Sequence, residues 1–151
     1  MRRFSIVLTI SLFSLGANAQ SAEDSVKATV NNLFNAMRNA DADAFKNLFA
    51  DNAIMQTFGR NKQGQLEVVS ESVAEFAKFI SELKKDSADE RIVFETIRID
   101  GPMAIAWTPY NFFHNGKFSH CGVNSFQLVR LGGQWKIQYL IDTRRRAGCN
   151  P

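Results

Sequence analysis

The chain has 151 residues, with 18 Lys and Arg against 15 Asp and Glu and a net charge of +3 at neutral pH. That length suits a single domain with its own core. Arg2 and Arg3 carry much of the positive excess, so the rest is close to neutral, which argues against a nucleic-acid-binding surface.

Arg2 and Arg3 make a basic start. Phe4 to Leu15 is an apolar run broken only by Ser and Thr, and Ala17-Asn18-Ala19 is a small-x-small cleavage signal. Together they predict a secretory signal peptide over residues 1–19 and a single domain over 20–151, periplasmic or secreted. The run is shorter than the roughly 20 apolar residues of a membrane span. An uncleaved anchor is the alternative, and after cleavage no membrane association is expected. The residue directly after the cleavage site is Gln20 and not Cys, which argues against a lipid anchor.

In chain order, Ser21 or Ser25 caps a predicted helix to about Asn39, with Val26, Val30, Leu33, Phe34 and Met37 on one stripe. Asp41 caps a shorter helix through Ala44, Phe45, Leu48 and Phe49. An extended piece, Ile54 to Phe58, leads to a polar loop or hairpin at Gly59 to Gly64. Ser72, with Glu75 three residues on, opens a third helix whose apolar side is Val73, Phe76, Phe79, Ile80 and Leu83.

From Glu90 the period changes to two. Arg91 to Asp100, Met103 to His114, Lys117 to Leu131 and Gln134 to Thr143 read as strands, the last three joined at Asn115-Gly116 and Gly132-Gly133. Two-residue turns at both places set Trp107 opposite Asn124, Ile105 opposite Phe126 and Phe126 opposite Tyr139. One face then holds Met103, Ile105, Trp107, Phe126, Leu128, Ile137, Tyr139 and Ile141. The other holds Ala104, Ala106, Thr108, Ser125, Gln127, Gln138 and Asp142. The large side chains agree on one face, as a buried face demands. A bulge would shift part of this register.

The apolar face turns polar at one end, through Asn124, Asn111 and His120, which is the makeup of a ligand site or of a solvent-exposed rim. Trp107, Phe126 and Tyr139 would supply its walls. Glu95 shares parity with Val93, Ile97 and Ile99, so it is either an interior carboxylate able to move a proton or a solvated edge residue. Arg144-Arg145-Arg146 reads as a solvated segment or as an anion clamp at the rim of a site. Cys121 and Cys149, an even pair in an exported chain, predict a disulfide that ties the C-terminal tail to the sheet. With only His114 and His120 nearby they do not match zinc spacing, and neither metal nor other cofactor is expected.

This layout resembles the nuclear transport factor 2-like (NTF2-like) superfamily, a cone-shaped α+β fold with three N-terminal helices packed on a curved, mainly antiparallel sheet. The carriers are Val30-x-x-Leu33-Phe34-x-Ala36-Met37 and Asp43-Ala44-Phe45-x-x-Leu48-Phe49-x-Asp51-Asn52-Ala53 in the helices. Ser119 to Phe126, Gly133-Gln134-Trp135-Lys136-Ile137 and Asp142 to Arg145 carry it in the closing strands. The segment is most similar to the secreted bacterial members grouped as SnoaL-like or lumazine-binding. The resemblance implies a pocket inside the cone and a homodimer through the outer sheet face. It also implies either of two roles: a binder of a small apolar or aromatic molecule, or an isomerase-like or dehydratase-like enzyme. In the second, His120 or Glu95 would be the base and Tyr139 the oxyanion partner. An accessory interaction domain without ligand is the third reading.

Overall fold

The computed structural model describes residues 14–151, so most of the predicted leader, residues 1–13, lies outside the described residues. Helix α1, Ser14–Arg38, starts further toward the N-terminus than predicted, and its stripe of Val26, Val30, Leu33, Phe34 and Met37 is buried. The helix stops where Ala40 takes a positive φ of 57° and the Asp41 N–H reaches back to the Ala36 carbonyl at 2.9 Å. Asp41 then caps α2, Ala42–Lys46, its carboxylate accepting the Ala44 N–H at 2.9 Å.

The predicted second helix runs too long, because Phe49 already opens strand β1, Phe49–Arg60. The polar loop after it is a hairpin turn, with the Asn61 side chain accepting the N–H groups of Gln63 and Gln65. It leads into an edge strand the sequence did not signal, β2, Leu66–Glu71. Ser72 caps α3, Val73–Ser81, and accepts the Glu75 N–H. Only α1 and α2 therefore precede the sheet, and α3 follows its first hairpin.

The single strand predicted over Arg91 to Asp100 is two, β3 (Ala88–Ile92) and β4 (Thr96–Asp100), both paired with β5 (Met103–His114). β6 (Lys117–Leu131) and β7 (Gln134–Arg145) complete a seven-stranded sheet of order β2-β1-β7-β6-β5-β3. β1 lies parallel to β7, and the other pairs are antiparallel. The helices pack on one face of the sheet, with Phe126, Leu128, Ile137 and Trp135 against α1 and α2 in a single core.

Both tight turns form where predicted, with positive φ at Asn115, Gly116, Gly132 and Gly133. The strands beyond them are out of the predicted register. In β6 one extra residue, Ser119, separates the pairs Phe113↔Phe118 and Phe112↔His120. In β7 Gln138 is the extra residue between Leu128↔Ile137 and Gln127↔Tyr139. Each bulge inverts everything after it. Trp107 consequently faces Ser125, and Phe126 sits between Ala106 and Leu140. Ala104, Ala106, Thr108 and Asp142 point toward the helices, where the reverse was expected. Met103, Ile105 and Trp107 point outward and are 53 %, 42 % and 45 % exposed. Phe126, Leu128 and Ile137 are interior, as predicted.

The predicted disulfide is present: Cys121 and Cys149 are bonded and hold the C-terminal tail against the outer side of β6. No helix among the described residues is long and apolar enough to cross a membrane.

Candidate functional site

Between the helices and the concave face of the sheet lies a cavity of about 250 Å³. Its apolar walls come from α1 through Leu33, Phe34 and Met37, from α2 through Phe45, and from α3 through Phe76, Phe79 and Ile80. The sheet closes the other side and supplies every charged group in the lining: Glu71, Glu90, Asp142 and Arg144, together with Tyr110, Asn124, His114 and His120.

Period-two alternation in β3 puts Ala88, Glu90 and Ile92 on one face, so Glu90 enters the cavity wall with two apolar neighbours. The Asn124 amide donates to Glu90 Oε1 at 2.7 Å. Burial pushes the Glu90 pKa up to about 8; the Asn124 hydrogen bond and the Arg144 charge pull it down, and the Asp142 charge adds to the rise. Glu90 is thus mostly a neutral acid at pH 7.

A second group sits one strand pair away. Tyr110 lies over Gly122, and its hydroxyl is shared between Asp142 Oδ2 at 3.1 Å and the Thr143 carbonyl at 3.0 Å. Only glycine permits this crossing. A Cβ at position 122 would stand 1.8 Å from the Thr143 carbonyl oxygen and 2.7 Å from the Tyr110 ring. Arg144 turns back on Asp142, with Nε at 2.8 Å and a terminal nitrogen at 3.4 Å. Burial opposes the guanidinium charge, but the Asp142 contacts outweigh it and hold the Arg144 pKa above its ordinary value. Burial, then the charges of Glu90 and Asp142, raise the Tyr110 pKa, so the phenol keeps its proton.

His120 packs edge-on to Tyr110 and beside Phe112, with Nδ1 3.1 Å from Ser119 Oγ. Burial, then the Arg144 charge, lower its pKa, which favours the neutral ring. At the rim burial raises the pKa of Glu71. Among the described residues no group of three or more His, Cys, Asp or Glu is arranged to hold a metal ion.

Of the residues singled out from sequence, the structure brings Asn124 and His120 to the cavity. Phe126 is interior but belongs to the core, edge-to-face with Phe34 at 6.2 Å. Trp107 and Tyr139 are on the outer face because of the bulges, and the Tyr139 hydroxyl donates to Gln56 Oε1 at 2.7 Å. Asn111 also faces outward and donates to the Asn150 carbonyl, beside the disulfide. Glu95 is exposed in the break between β3 and β4, where its N–H donates to the Trp107 carbonyl. Of the arginine run, Arg144 alone lines the cavity. Sequence reasoning missed Glu90, Tyr110 and Glu71 and put Asp142 on the wrong face. The signal for Glu90 was its parity with Ala88 and Ile92, obscured by reading one strand through Val93.

A family model described as "Putative lumazine-binding" matches residues 21–139. Solved structures share the architecture at low identity. An NTF2-like protein with a cystatin-like fold from Novosphingobium aromaticivorans superposes with a TM-score of 0.69 at 16% identity, covering 92% of each chain. An NTF2-like protein of unknown function from Shewanella baltica gives 0.63 at 15%, over 85% of this chain and 97% of that one. A domain of unknown function with a cystatin-like fold from Nostoc punctiforme gives 0.65 at 16%, over 85% and 80%. No curated protein matches. The match over residues 21–139 leads to one assignment: the chain, which has the fold of NTF2-like proteins, belongs to the family described as "Putative lumazine-binding".

Proposed function

We propose that this domain binds a small, largely apolar or aromatic molecule in its cone cavity, after export, as a homodimer. The observation that carries the binding is the cavity itself: aromatic and aliphatic walls meet a few polar groups, Glu90 with Asn124 and Tyr110 with Asp142 and Arg144, at one side. That combination of apolar wall and convergent polar groups is what orients a ligand. The family description points to a flat heteroaromatic ring whose edge offers hydrogen-bond donors and acceptors. The dimer is supported by the outward Met103, Ile105 and Trp107, which leave an apolar sheet face uncovered.

Gently purified protein, examined by native mass spectrometry and then titrated with lumazine while the ring fluorescence is followed, tests the binding. A retained molecule, or saturable lumazine binding that weakens in Asn124→Ala, is the expected result. Protein that carries nothing and binds no aromatic probe overturns the reading.

Glu90 favours a second reading, an acid–base enzyme, because a carboxyl titrating near neutrality suits proton transfer. Turnover of a bound molecule that disappears in Glu90→Gln would support it.

A further inference from the structure

We infer that the cavity is built for an organic cation, an aromatic or alicyclic amine, whose ammonium group sits against Glu90 and Glu71. This rests on the small-molecule reading above and names the ligand class. The ionisable groups of the lining are unbalanced, with three carboxyl groups, Glu71, Glu90 and Asp142, against one guanidinium, Arg144. Arg144 is already engaged at both ends of the Asp142 carboxylate. Among the described residues Glu90 and Glu71 form no ion pair, and the side chain of Glu90 is held by the Asn124 amide.

Glu90 faces the apolar wall with no cation in hydrogen-bond contact, so it is costly to ionise and a retained proton relieves that cost, while Glu71 stands exposed at the rim. A bound ammonium replaces such a proton. The walls suit the same guest, because Phe112, Phe76, Phe45 and Tyr110 line the cavity, and aromatic rings attract desolvated cations. A carboxylate-bearing guest would meet the acidic excess and find the one guanidinium occupied.

The titratable groups lining the cavity with Glu90 are Asp142 and Arg144 from β7, Tyr110 and His114 from β5, His120 from β6 and Glu71 from β2. The helices contribute only apolar side chains. Tyr110 keeps its proton, and Arg144 stays charged. Glu90 is therefore the group whose proton is exchanged for the cation in the neutral range.

Three probes with one ring system separate the possibilities: naphthylmethylamine, naphthalenemethanol and naphthoate, titrated calorimetrically in buffers of different ionisation heat. The amine is expected to bind at least about tenfold tighter than the alcohol, with the naphthoate weakest, and to release about one proton per molecule at pH 7. Its affinity is expected to rise by about tenfold per pH unit from pH 6 toward 8, a slope that disappears in Glu90→Gln. Alcohol or naphthoate binding as tightly as the amine, or amine binding without proton release, overturns the ligand class and leaves the small-molecule reading standing. Binding of none of the three, with no lumazine binding either, removes both.

Discussion

Glu90 is a proton-holding carboxyl, and folding responds to that in a definite direction. In the unfolded chain the group titrates near its ordinary 4.5; in the folded domain it titrates near 8. Between these values the folded state holds the extra proton, so a rise in pH favours unfolding. Stability should therefore fall as pH climbs from about 5 to 8, by at most about 1.4 kcal/mol per unit. Urea titrations across that window check this, and Glu90→Gln, which keeps an acceptor for Asn124, should flatten the slope. Gly122 is the other sensitive position. With a carbonyl and a ring already in the space of a Cβ, Gly122→Ala forces Tyr110 off Asp142 and strains β7. The expected cost is about 1–3 kcal/mol, seen as a lowered urea midpoint.

The disulfide joins elements rather than neighbours. It closes a loop across a sequence separation of 28 and anchors the tail beside Asn111. Cys149→Ser should lower stability by about 2–4 kcal/mol and expose residues 146–151 to limited proteolysis. At this scale the sequence was readable wherever a local rule decides the outcome. The α1 stripe, the caps Asp41 and Ser72 and both glycine turns all formed where the side chains call for them. The pairing far from each turn was not readable. A bulge costs little locally, and nothing in Ser119 or Gln138 marks it as the unpaired residue. One such insertion sent Trp107 outward and brought Ala104, Ala106 and Thr108 inward. Half of the candidate site followed the same error. His120 and Asn124 were found because β6 alternates correctly by itself, whereas Tyr110 and Asp142 needed the register across strands.

Over the whole molecule, Met103, Ile105 and Trp107 form an apolar field on the convex side of the sheet, with Ile54, Phe58 and Val68 exposed further along it. Trp107→Glu places a charge there without touching the cavity. Light scattering should show the mass of the proposed dimer halved, and the circular dichroism spectrum unchanged. The parallel pairing of β1 with β7 has a kinetic meaning. Thr57 and Asp142 meet across 85 residues of chain, and the pair they belong to sits in the middle of the sheet. Long-range pairing of this sort makes assembly slow. Until β7 pairs, a β1–β2 ribbon and a β3–β6 ribbon each keep an open edge exposed to aggregation. β7 is the strand that turns two ribbons into a single vessel, so the cavity does not exist until β7 has found both of its neighbours.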